Sequence, residues 1–177
     1  ALRKTSMQIE PVVRKVQKEF EPAFVERKIN FQTDGLNTLP AIIADPDMLQ
    51  KVFYHLIMNA IKYTPDGGDV KVLGKYVNGT EPPQLEISVC DTGIGVDPSM
   101  QDLIFQKFHQ TGEVLLHSSG KTKFKGGGPG LGLAIARGII QAHGGRIWVE
   151  SSGHDEKNFP GSKFVISLPA QKKESQL

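Results

Sequence analysis

From Asp45 to Thr64 the chain reads DPDMLQKVFYHLIMNAIKYT. Leu49, Val52, Phe53, Leu56, Ile57 and Ala60 recur at steps of three and four, which predicts a helix with one apolar face. Pro46 suits the first helical turn, with Asp45 as the cap before it. Lys51, His55, Asn59 and Lys62 recur at the same steps on another face. That stripe is either a solvated face with one neutral residue among charges, or a site. In the second case an amide ligates a hydrated divalent cation and a lysine one turn on meets a phosphate.

The same patterning predicts the other elements. Ile9, Val12, Val13, Val16, Phe20 and Phe24 mark a leading helix that Pro22 kinks or ends. Short strands are expected over 28–33 and 39–44, joined by a turn at Asp34-Gly35. The central helix stops at Thr64-Pro65-Asp66-Gly67-Gly68. Paired strands follow at 69–76 and 84–90, then a short helical piece ending in IFQKF and a polar mobile loop over 109–125. A last helix carries Leu131, Ala134, Ile135, Ile139 and Ala142 on its apolar side and ends at Gly144-Gly145. Strands at 146–151 and 162–168 and a polar tail at 171–177 complete an α/β layer structure, a mixed sheet with helices on one face.

Composition narrows the setting. The 177 residues suffice for one domain with a proper core, and a net charge of +2 gives no general argument for nucleic acid or membrane binding. The single cysteine, Cys90, excludes an internal disulfide framework and fits a reducing compartment, so a cytoplasmic location is expected. No run reaches the roughly 18 apolar residues of a membrane span. Residues 1–7 lack an initiating Met and read as the remnant of an upstream linker, 8–169 as the domain and 170–177 as the tail.

Two stretches carry candidate chemistry. Asp91 ends a strand and is followed by Gly93 and Gly95. An ionised carboxylate only accepts hydrogen bonds, so it either caps local amides in a tight turn or recognises a donor such as the adenine amino group. Gly126 to Gly132 leads into a helix start, where free amides and the positive dipole end suit di- or triphosphate; a hinge for the preceding loop is compatible with that. Gly120-Lys121-Thr122 fails as a P-loop because Leu115 stands where glycine is needed, and Gly128 to Gly132 lacks the spacing and preceding strand of a dinucleotide fingerprint. The five histidines show no metal-ligand spacing, and His143 reads as a helix-end residue favoured by the dipole.

HLIMNAIKYT (55–64), DTGIGVD (91–97), IFQKF (104–108) and GGGPGLGLAIA (126–136) stand in one order. Together they resemble the N, G1, F and G2 boxes of the catalytic ATP-binding domain of sensor histidine kinases, within the superfamily of gyrase, mismatch-repair and heat-shock chaperone ATPases. The resemblance spans about residues 8 to 169. It implies a Bergerat fold, a two-layer sandwich with a mostly antiparallel sheet of about five strands under about three helices, holding Mg²⁺-ATP beneath a lid. Carried over, Asn59 is the Mg²⁺ ligand, Lys62 reaches the phosphates, Tyr63 lies near the adenine and Asp91 binds its amino group. Gly93 and Gly95 shape the base pocket. Gly128, Gly130 and Gly132, with the amide of Leu131, hold the phosphates. Phe105 and Phe108 anchor a lid over about 109–127, and Ser162 joins a water network behind Asp91.

Two departures bear on mechanism. His55 stands where hydrolysing members of the superfamily have a glutamate base, which argues for phosphoryl transfer, with His55 as base kept as an alternative. Lys107 and Gln110 replace the arginines of the FxRFxR pattern; Lys121, Lys123 and Lys125 either substitute for them or keep the lid soluble. The family's phosphoacceptor is a histidine followed by an acidic residue in an upstream dimerising hairpin, and no histidine here stands in one. The expected function is transfer of the γ-phosphoryl group of ATP to that histidine in another domain or a dimer partner, and onward to a response regulator receiver domain. An ATP-hydrolysing clamp and a nucleotide-binding interaction module without catalysis are the rivals.

Overall fold

The structure, a computed structural model, describes residues 1–106 and 131–170. Among the described residues, three α-helices cover one face of a five-stranded sheet. In chain order the elements are β1 (Thr5–Met7), α1 (Ile9–Arg27), β2 (Asn30–Asp34), β3 (Ile42–Ala44), α2 (Pro46–Tyr63), β4 (Asp69–Val77), β5 (Gln84–Asp91), α3 (Gly132–Ala142), β6 (Arg146–Glu150) and β7 (Ser162–Pro169). Short 3-10 turns lie at Leu36–Thr38, Pro98–Met100 and Leu103–Phe105.

The sheet order is β2-β4-β5-β7-β6, and only β2 and β4 run parallel. Alternation along the central strands sends Val70, Val72, Leu85, Ile87, Val89, Phe164, Ile166 and Leu168 into the core beneath the helices. Phe53 of α2 and Phe164 of β7 are among its largest fully buried side chains, each stabilising the fold by roughly 1.5–3 kcal/mol through lost apolar exposure.

Several expectations shift. Thr5–Met7, expected within the linker remnant, pairs antiparallel with β3, so β3 belongs to a separate two-stranded sheet. The leading helix passes through Pro22 and ends at Arg27, with Lys28 in the left-handed conformation as its cap. Pro22 lies on the exposed side, where water can take the bond its missing amide leaves unmade. In α3 the fully buried residues are Ala136 and Ile140, whereas Ile135 is 42% exposed and Ala142 is exposed. Apolar residues surround most of this helix, so spacing alone does not select its inner face.

His143 stands at the end of α3, as expected, and is buried there. Its Nε2 accepts from the Asp45 amide at 3.0 Å and its Nδ1 lies 2.8 Å from the Ile139 carbonyl oxygen. A neutral ring with its proton on Nδ1 satisfies both bonds and ties the end of α3 to the start of α2.

The central helix is held at both ends. Asp45 Oδ1 accepts from the amides of Asp47 at 3.1 Å and Met48 at 3.2 Å, ahead of Pro46. Its carboxyl is held below the usual range by the Arg3 amide first, then by the cap amides, against the opposing effect of burial. At the other end the last carbonyls lack helical partners. Arg27, buried at the end of α1, donates to Ile61 O at 3.1 Å and to Thr64 O, and pairs closely with Asp66. Tyr63 O accepts from the Ile94 amide at 3.0 Å.

Removing the guanidinium while keeping an unbranched apolar stem tests this clamp. Arg27→Met strips two buried carbonyls of charged donors and is expected to destabilise the chain by about 2–4 kcal/mol in urea unfolding; a change inside about 0.5 kcal/mol would contradict the clamp. The Thr64 hydroxyl, by contrast, is buried without a hydrogen-bond partner among the described residues. Thr64→Val, of the same shape, should therefore keep or raise stability by up to about 1 kcal/mol in the same assay.

Candidate functional site

The site grows from the end of α2. Asn59 lies one turn before Tyr63, and the Tyr63 carbonyl holds the Ile94 amide, so the Asp91 to Asp97 segment docks on that last turn. His55, one turn further back, faces the start of α3: a Cβ added to Gly132 would stand 2.9 Å from His55 Nδ1. The sequence-predicted residues His55, Asn59, Lys62 and Tyr63 thus line α2 between two loops, over about 12 Å at 1.5 Å per residue. All four are half-buried. His55 also meets the Tyr54 ring edge-on at 5.6 Å, and burial pushes the Tyr63 phenol above its ordinary value.

Asp91 ends β5 and is 7% exposed. Its Oδ1 accepts from the amides of Gly93 at 2.9 Å and Ser162 at 3.2 Å, and its Oδ2 accepts from Ser162 Oγ at 2.7 Å. Ser162 is therefore a direct partner of the carboxylate. A carboxylate offers about four acceptor positions, so these three donors leave room for one more on Oδ2. Burial raises the Asp91 carboxyl above its usual value, while Ser162 and the Gly93 amide pull the other way.

Gly93 and Gly95 are required first by the protein itself. A Cβ at Gly93 would come within 2.2 Å of Tyr63 O, and one at Gly95 within 1.9 Å of Gly153 O. Gly95 also has φ +76°, a left-handed conformation that favours glycine. Phe105 is buried and packs edge-on against Phe164 with ring centroids 6.0 Å apart. Leu131 stands at the cap of α3, where its carbonyl accepts from the Ile135 amide at 2.8 Å. Phe108, Gly128 and Gly130 lie outside the described residues, as do the lid expected over 109–127 and the lysines at 107, 121, 123 and 125.

Sequence reasoning missed Arg27, which finishes the site helix, and Ser151, whose hydroxyl accepts from the Val96 amide at 3.0 Å. Neither stands in a local pattern that signals it, because each acts on residues far along the chain. A shallow depression of about 470 Å³ borders Asp91, lined by Glu150, Ser151, Ser162 and Lys163 among others. Among the described residues, no group of three or more His, Cys, Asp or Glu could hold a metal ion, and no helix is long and apolar enough to cross a membrane.

Known proteins are similar to this chain in sequence and fold. Residues 44–172 match the family of histidine kinase-, DNA gyrase B- and HSP90-like ATPases, and the chain belongs to that family. It is 33% identical over 168 residues to the adaptive-response sensory kinase SasA of Gloeothece citriformis, covering 95% of this chain and 38% of that protein. To SasA of Rippkaea orientalis it is 34% identical over 151 residues, covering 85% of this chain and 34% of that protein. The chain thus spans under two fifths of the length of these curated relatives. Full-length ShkA, solved with AMPPNP, is similar with a TM-score of 0.78 at 27% identity, covering 100% of this chain and 33% of that one. The nucleotide-free catalytic domain of histidine kinase ThkA shares the fold with a TM-score of 0.72 at 23% identity, covering 97% of this chain and 100% of that one. The family, the α/β class and the Bergerat arrangement expected from the motifs are borne out.

The raised carboxyl of Asp91 makes a prediction with a definite sign. A carboxyl raised on folding contributes stability below its unfolded pKa, about 3.9, and loses it as pH rises through the folded value. At neutral pH the ionised group therefore opposes folding. Asp91→Asn keeps an acceptor for both amides and offers its NH2 to Ser162 Oγ. Without ligand it should be as stable as the native chain or more so at about pH 7, and that margin should shrink at about pH 4.5. Urea unfolding at both pH values measures it; a margin that widens on acidification would show the opposite sign.

Proposed function

We propose that this chain is the kinase core of a two-component sensor: it binds Mg²⁺-ATP and passes the γ-phosphoryl group to a histidine on a dimerisation and phosphoacceptor domain. The observation that carries this reading is Asp91, a buried carboxylate with three donors from the fold and one acceptor position left for an adenine amino group. Family membership and the sensory kinases among the relatives support it. AMPPNP bound by the similar ShkA supports ATP as the nucleotide.

In this reading the base sits beside Asp91 and Tyr63, against the turn that Gly93 and Gly95 form, with Ser162 behind the carboxylate. The phosphates run along α2 past Lys62 toward the start of α3, where the Leu131 amide, Gly132, Gly128 and Gly130 receive them. Asn59 offers an amide oxygen, a hard neutral donor suited to Mg²⁺ when phosphate oxygens and waters complete the coordination. An ion held there would neutralise charge on the phosphates. The chain's own part is positioning and electrostatic stabilisation, the main burden in phosphoryl transfer.

His55 beside Gly132 places an imidazole, not a carboxylate, near the phosphate end, which favours transfer over hydrolysis by an activated water. The phosphoryl group then passes to an aspartate on a response regulator, and an ATP-using domain with a single cysteine fits the cytoplasm.

Calorimetric titration tests the assignment. Asp91→Asn should weaken ATP and ADP alike by roughly 10- to 100-fold, the value of a hydrogen bond to a charged acceptor. Asn59→Ala should leave metal-free ADP affinity within about twofold while abolishing the gain from added Mg²⁺ and most phosphoryl transfer to a supplied phosphoacceptor hairpin. Native ADP affinity in Asp91→Asn would remove the adenine assignment. Fast steady-state ATP hydrolysis by the isolated chain would favour a clamp ATPase instead.

A further inference from the structure

The chain between β6 and β7, from Ser151 to Gly161, lies against the 93–97 segment on the side away from α2. Three backbone groups of that segment bond to it. The Gly161 amide donates to Gly93 O at 2.8 Å, the Asp155 amide donates to Ile94 O at 2.8 Å, and the Val96 amide donates to Ser151 Oγ at 3.0 Å.

Ser151 is the hub of this contact. Its hydroxyl has one proton, with Gly161 O at 2.7 Å as the nearer acceptor and Gly153 O at 3.0 Å as the other, while a lone pair accepts from the Val96 amide. Gln101 Nε2 reaches the Ser151 carbonyl at 3.1 Å and Val96 O at 3.4 Å, fastening the same junction from outside. A Cβ at Gly95 would stand 2.9 Å from Ser151 Oγ, so no side chain separates the two strands of chain. The connection is stiffened in turn by Asp155, whose Oδ1 accepts from the Lys157 and Asn158 amides at 2.8 and 3.1 Å.

The same stretch delivers Ser162, which donates twice to Asp91. Gly161 passes so close that a Cβ there would lie 2.3 Å from the Asp91 carbonyl oxygen. One connection therefore fixes both the wall beside the base position and the carboxylate that reads it. With Ile94 held from the other side by Tyr63 O, the segment has no slack in either direction.

We propose that the Ser151–Gly161 connection is the positioning device for the base end of the nucleotide site, with Ser151 as its positioning residue and adenine selectivity as its output. This rests on the nucleotide reading of Asp91. Loosening Ser151 moves the 93–97 wall and the Gly161-Ser162 corner together, so it affects a base that donates to Asp91 and spares one that presents a carbonyl there.

The test measures ADP affinity by calorimetry and GDP affinity by competition in the 177-residue chain, with Ser151→Ala and the milder Gln101→Ala. The expected result is a three- to tenfold loss of ADP affinity in Ser151→Ala, the scale of one hydrogen bond, and a smaller loss in Gln101→Ala. GDP affinity stays unchanged, so the ADP-to-GDP ratio narrows. An unchanged ratio in both variants overturns the proposal, whether ADP binding is native or both nucleotides weaken together. Should Ser151→Ala not fold, Gln101→Ala carries the same criterion. Asp91→Asn in parallel separates the two levels. Native ADP binding in that variant sinks the adenine assignment of Asp91 on which the proposal rests, whereas weakened binding there with an unmoved ratio in the Ser151 and Gln101 variants sinks only the positioning role.

Discussion

The carbonyls at the end of α2 have no partners inside their own helix, and the molecule is assembled around supplying them. Arg27 answers Ile61 and Thr64, and Ile94 answers Tyr63. The first contact pins α1 to α2; the second pins the loop after β5 to the helix that carries Asn59 and Lys62. A buried carbonyl left unpaired costs about 1–3 kcal/mol, so the geometry of the site is enforced by ordinary backbone satisfaction. The candidate ligand-binding residues inherit their positions from that constraint.

Asp91 shows where the fold departs from its own stability optimum. A carboxylate with little access to water is disfavoured by desolvation, and two amides and a hydroxyl only partly offset that. An amide side chain would make a similar set of bonds without the buried charge. A carboxylate at this position is a local conflict of the kind that marks functional sites, and it agrees with the proposed role of Asp91 as a charged acceptor. The glycines around it follow a related logic. Gly93 and Gly95 touch protein, so the shape of the base wall is set by internal packing before any ligand is considered.

Much of this was legible in the sequence, for reasons that differ by element. The central helix was readable to the residue because a proline, a capping aspartate and an uninterrupted apolar stripe agree. β4, β5 and β7 were readable because short runs rich in apolar and β-branched residues stand between glycine-, proline- and asparagine-containing turns. The inner face of α3 was not, since Ala136 and Ile140 compete with Leu133, Ala134, Ile135 and Ile139 on an almost wholly apolar helix. β1 was missed because three residues carry no period, and its pairing with β3 is decided by register rather than by composition. Within the site, Asn59, Lys62 and Asp91 were visible through the order of their motifs. Arg27 and Ser151 were invisible, because a lone arginine or serine announces nothing until its distant partners are known.

The unequal visibility has a physical cause. Residues that would touch a ligand sit in short, chemically constrained runs, since one turn of helix or one tight loop must present several groups at once. Those that hold the runs in place need only reach a carbonyl or an amide, a demand that many side chains meet and that leaves no local spacing. The β6–β7 connection illustrates this. Its polar, glycine-containing sequence looks like an ordinary surface loop, yet it supplies Ser151, Asp155 and Gly161 to three successive bonds on the 93–97 wall. In the proposed reading, selectivity for the base is a property of two segments that meet only in the folded state, Asp91 as the acceptor and the connection that fixes its surroundings.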